Sequence, residues 1–200
     1  MIKRFLLILV LIFSFQSWTR ADDIRDFQIE GMSIGDSLLD YFSEEEIKNY
    51  SDDIGYASFG WLSFGTDNEK LRSKLKQYDY IQIEYMEKDK DYKIYALSGK
   101  IYDDDNFELD KCIKKAEKIS NQIKEVLGKS VKYQHDKKTK LEADKSGKSI
   151  SDTRYFIFDD GAFVSVRCSD WSQEETNYED LLSVDVVTKK FRNMMNEAYK

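Results

Sequence analysis

One histidine, two cysteines and 38 acids set the chemistry open to this 200-residue chain. His135 is the only histidine, so any Ser-His-Asp or Cys-His catalyst must pass through it. It stands between Gln134 and Asp136 at the mouth of a lysine-rich stretch, where a solvated imidazole is expected, and no Gly-x-Ser-x-Gly elbow accompanies it. Asp103-Asp104-Asp105-Asn106, with Glu108 beyond, offers hard oxygen ligands but lacks the alternate ligands and the glycine of a calcium loop. It reads instead as the acidic lead-in to a helix N-terminus. Gly128-Lys129-Ser130 and Gly147-Lys148-Ser149 carry the tail of a phosphate loop, but Ile123 and Glu142 stand where the upstream glycine is required. The acids leave carboxylate-pair catalysis open in principle and mark no pair. No metal site and no cofactor is expected, since one histidine and two cysteines cannot hold zinc without several carboxylates. The leading reading is a binding or accessory module; a hydrolase with an unplaced carboxylate pair is the alternative.

Cys112 and Cys168 are the residues whose spacing says most. Leu109, Cys112, Ala116, Ile119, Ile123 and Leu127 recur at helical intervals within 108–127, which places Cys112 on an apolar helix face. Alternation through 161–169 puts Ala162, Val164, Val166 and Cys168 on one face of a strand. If that helix covers that strand, both thiols enter one layer. The chain start decides their redox state. Lys3 and Arg4 precede Phe5–Phe15, an eleven-residue run that is apolar but for Ser14, and a polar stretch ending in Ala21 follows. This is the layout of a secretory signal, with cleavage expected between Ala21 and Asp22. Eleven helical residues span only about half of a hydrocarbon core, so a membrane anchor is the weaker reading. A periplasmic or secreted destination then favours a Cys112–Cys168 disulfide over two free thiols.

Charge narrows the partners. Residues 1–21 hold Lys3, Arg4 and Arg20 and no acid, so their removal takes the net charge from −7 to −10. Such a chain repels phosphate backbones, and its lysines are interspersed with acids. Nucleic acid is not an expected partner, and neither is membrane insertion after signal cleavage. An unknown protein or small ligand of the envelope is. With 28 aromatic rings and no proline, the chain is equipped for a packed core.

The remaining elements are read from periodicity. A short strand at Phe27–Ile29 leads to a turn from which Ser33 caps a helix reaching Phe42. Ser43 with Glu46 forms a capping box for a second helix. Strands are expected at 56–64, 78–86, 92–102, 153–158, 162–168 and 181–188, with a shorter one possible at 131–135. Asp159-Asp160-Gly161 marks a hairpin, and 136–151 reads as a mobile polar loop. Phe191, Met194, Met195 and Ala198 predict a closing helix. The expected fold is one α+β domain over residues 22–200, its antiparallel sheet of about five or six strands covered by helices.

Tyr56, Phe59, Trp61 and Trp171 are the candidate recognition residues, because large rings dominate binding hot spots; core packing is the competing role for each. Ile29 to Phe42, the Cys112 helix and Arg167-Cys168-Ser169-Asp170-Trp171 together resemble a group of small exported bacterial proteins of unknown activity. The Gly31-Met32-Ser33 entry is similar over a few residues to the first turn of BamE-type outer-membrane assembly lipoproteins, without their lipid-bearing cysteine. That resemblance implies a periplasmic binding or assembly accessory.

Overall fold

A computed structural model describes residues 23–102, 107–128 and 130–198. The expected signal segment, its Ala21/Asp22 junction and the acidic run 103–106 lie outside them. In chain order the elements are β1 (Gln28–Ile29), β2 (Met32–Ser33), α1 (Glu44–Asn49), β3 (Ser51–Asp52), β4 (Trp61–Gly65), α2 (Glu69–Arg72), β5 (Tyr80–Met86) and β6 (Ala96–Tyr102). They continue with α3 (Leu109–Leu127), β7 (Lys132–Lys140), β8 (Ile150–Ile157), β9 (Phe163–Asp170), β10 (Leu181–Val187) and α4 (Lys189–Ala198). Alternation dictates the sheet: β5 reads Ile81, Ile83, Tyr85 against Gln82 and Glu84, and β10 reads Leu182, Val184, Val186 against Ser183 and Asp185. Eight antiparallel strands join in the order β3-β4-β5-β6-β10-β9-β8-β7, and β1-β2 form a separate two-stranded ribbon. No helix among the described residues is long and apolar enough to cross a membrane.

The apolar face of the sheet holds the main core. Helix α3 lies over β9 and β10, and the segment 24–47 contributes Ile29, Met32, Leu38, Phe42 and Ile47 to the same cluster. Ser43 and Glu46 form the reciprocal cap that starts α1. Cys112 and Cys168 are bonded across this layer with Cα atoms 5.9 Å apart, tying α3 to β9. The opposite face differs. Only its end near Trp61, Ala96 and Val187 is packed, by Phe191 and Met194 of α4.

The structure is α+β with an antiparallel sheet, as expected, but has eight strands where five or six were anticipated. Two elements account for the excess. Strand β7 takes in the short strand considered at 131–135 and runs on through 136–140, read as loop, because an edge strand is held by backbone pairing to β8 and needs no apolar alternation. Its bulge between Asp136 and Thr139 also breaks the period on which the sequence argument relies. Strand β3 has two residues, too few for any pattern. Between β7 and β8 the chain turns around Asp144, whose carboxylate accepts from the backbones of Ser146 and Ser149 and from the Ser149 hydroxyl.

Two further expectations change. The helix anticipated from Ser33 is a single 3-10 turn, Leu38–Asp40, capped by Ser37 instead. The strand anticipated over 56–64 begins only at Trp61, because Ala57–Phe59 is another 3-10 turn and Gly60 reverses the chain at φ 78°. Phe59 therefore does not share a strand face with Trp61. Helices do cover the sheet on one side, but on the other α4 reaches only one end.

Candidate polar trough on the open sheet face

The side chains left uncovered by α4 form a trough. Cross-strand pairing sets its floor in rows, beginning with Lys100 beside Ser183 and Ser183 beside Arg167. The next row is Gln82, Ser98, Asp185, Ser165 and Tyr155. The third is Glu84, Ala96, Val187 and Phe163. Small serines between the long side chains leave a hollow of about 430 Å³, walled at the α4 end by Phe191 and Met195. One end of the hollow is charged and the other apolar.

Burial and hydrogen bonding organise the charges. Lys100 Nζ donates to Gln82 Oε1 at 2.6 Å, and Gln82 Nε2 donates to Glu84 Oε1 at 2.7 Å. The Ser63 hydroxyl donates to the same Glu84 oxygen at 3.2 Å. Glu84 is 5% exposed and its Oε2 has no hydrogen-bond partner. Desolvation outweighs these donors and pushes its pKa up to about 7, so the carboxyl titrates near neutrality. Burial likewise lowers the pKa of Lys100, against the pull of Asp185. Asp185 Oδ2 accepts from the Ser165 and Ser183 hydroxyls, each at 3.0 Å. Arg167 forms no ion pair among the described residues, and its buried Nε has no partner. Burial also raises the pKa of Tyr155. Beyond Lys100 the same face opens into a second hollow of about 830 Å³, whose walls are mostly polar.

Of the rings singled out from sequence, Tyr56 lines the hollow, and the other three fall elsewhere. Trp61 is 4% exposed and packs edge-on against Tyr95 and Phe191, a core position beneath α4. Phe59 is 43% exposed on its turn. Trp171 lies on the 171–180 segment with its ring 4.6 Å from the Tyr178 ring and its backbone N–H donating to Asp180 Oδ1. None of the three lines the trough.

His135 has a partner that sequence order did not show. Its Nε2 lies 2.9 Å from Asp152 Oδ1, which also accepts from Arg154 Nη1 at 2.6 Å, on the helix-covered face. Ser120 of α3 lines the adjoining hollow of about 510 Å³ with them. Its hydroxyl is buried and makes no hydrogen bond, so no Ser-His contact is assembled. The cluster reads as a charge network under α3. No group of three or more His, Cys, Asp or Glu side chains suited to a metal occurs among the described residues.

Sequence reasoning missed the trough because its members lie on five strands, each alternating as any half-buried strand does. The available signal was charge at inward-neighbouring positions: Glu84, Lys100, Arg167 and Asp185 each interrupt or flank apolar strand residues. Compared with protein-family models, with curated proteins and with solved structures, the chain matches none.

Proposed function

We propose that this protein is an exported binding module, stabilised by its disulfide, whose ligand site is the trough on the open sheet face. One observation carries the reading: four charged side chains, Glu84, Lys100, Arg167 and Asp185, are held within the trough floor beside an apolar wall at the α4 end. Removing such groups from water costs free energy that a ligand can recover by pairing with them. The export layout at the chain start and the resemblance to small exported proteins support a role in the envelope. The test is an NMR fragment screen with amide assignments. Hits should shift Ser98, Ser165 and Thr153 and be lost in Ser98→Trp, whose indole would fill the hollow. Hits confined to other surfaces would remove the trough as the site.

A hydrolase remains the second reading, favoured by one fact: the trough holds two carboxylates of unlike surroundings. Glu84, protonated in part near pH 7, is suited to donate a proton, while Asp185 is the base candidate. They stand on β5 and β10 with β6 between and one row apart, so their backbones are roughly 12 Å from each other. Turnover in a broad hydrolase screen, abolished by both Glu84→Gln and Asp185→Asn, would favour this reading over simple binding.

A further inference from the structure

We infer that the trough takes a small zwitterion with an apolar side chain, an aliphatic or aromatic α-amino acid. This deepens the proposal above and rests on the trough being the ligand site. Successive floor rows lie roughly 7 Å apart along the strands, and their chemistry changes from one to the next. In the first row Lys100 is committed to Gln82, with its ammonium 5.1 Å from the centroid of the Tyr80 ring. Arg167 is then the cation left for a carboxylate, with a planar fork that matches one.

Asp185, in the second row, is a diagonal neighbour of Arg167 on the adjacent strand, yet the two form no ion pair among the described residues. Its Oδ2 is held by two serine hydroxyls, which fix the carboxylate in place. Oδ1 makes no hydrogen bond among the described residues and is available to an ammonium. Glu84, in the third row and nine-tenths buried, adds the unpartnered Oε2 on the same side. In that same row Val187 and Phe163, with Phe191 and Met195 of α4, form an apolar wall. A carboxylate, an ammonium and an apolar group radiating from one carbon match the three in order.

Other chemistries fit less of the site. A phosphate or a simple fatty acid would set its anion on Arg167 and leave its charge facing Glu84 and Asp185. A neutral sugar would leave a buried acid and a cation unpaired, which is costly. A hollow of about 430 Å³ is of the size that holds small ligands.

The test is calorimetric titration of the exported protein with L-phenylalanine and L-leucine, followed by phenylalanine amide, N-acetylphenylalanine and 3-phenylpropanoate. Both amino acids should bind, and losing either charged group should weaken binding by at least about tenfold. Arg167→Gln should weaken phenylalanine and leave its amide unchanged, while Asp185→Asn should weaken phenylalanine and leave 3-phenylpropanoate unchanged. The analogue series needs no variant, so a misfolded mutant does not obscure the result. No binding of either amino acid, or equal binding of zwitterion and analogues, overturns the assignment. If other fragments still map to the trough, only the ligand class falls; if hits map elsewhere, the site falls too.

Discussion

Replacing Glu84 by glutamine should stabilise the protein above neutral pH and have little effect in acid. The carboxyl is buried on β5, and its pKa is raised from 4.5 to about 7 by desolvation. Around it stand Ser63 on β4, Gln82 on its own strand and Lys100 on β6. Below pH 4.5 folded and unfolded chains are both protonated there, and the group contributes its full stability. Between pH 4.5 and about 7 the unfolded chain releases the proton while the folded chain keeps it. Stability then falls by about 1.4 kcal/mol per pH unit, or about 3 kcal/mol across the window, and this contribution is flat above it. Glutamine keeps the neutral shape and the acceptor for Ser63 and Gln82, and it does not titrate. Urea unfolding of both proteins should therefore give stabilities within about 1 kcal/mol near pH 4.5, and a variant more stable by about 3 kcal/mol at about pH 8.5. The difference between proteins cancels the titration of every unaltered group to first order. A difference that is the same at both pH values would refute the reasoning, because a carboxyl of ordinary pKa is ionised throughout most of that range.

Three other outcomes are expected. Reducing the Cys112–Cys168 bond, which links residues 56 apart in sequence, should cost about 4 kcal/mol; Cys112→Ser, Cys168→Ser and the double variant should melt together, and additive losses would show the cysteines acting separately. Arg154→Met should cost about 3 kcal/mol in denaturant unfolding by leaving the buried Asp152 carboxylate with His135 alone among the described residues, and adding Asp152→Leu should recover part of it; a loss under about 1 kcal/mol would mean the pair is effectively solvated. Mass spectrometry of the exported protein should find its N-terminus at or near Asp22, and an intact Met1 on most molecules would remove the export reading.

The sequence alone determined what is local. Helical spacing around Cys112 and alternation around Cys168 were enough to put each thiol on the apolar face of its own element, because each period is set by backbone geometry over a few residues; the packing of α3 on β9 then joined the two faces. The same holds for the Ser43–Glu46 cap, the turn at 159–161 and the apolar halves of β5 and β10. Tertiary structure decided what depends on partners distant in sequence. The polar strand β7 exists because β8 offers it backbone bonds, and no side-chain pattern announces such pairing. His135 meets Asp152 only across that pair of strands. Trp61, by type as suited to recognition as to packing, was committed to the core by Phe191 of α4. The trough itself arises because β5, β6, β10, β9 and β8 bring Glu84, Lys100, Asp185, Arg167 and Tyr155 together from a stretch of chain that runs from 84 to 185. Strand order sets those neighbours, and strand order follows from which apolar faces bury together under α3 and the N-terminal segment, a property of the whole chain and of no stretch within it.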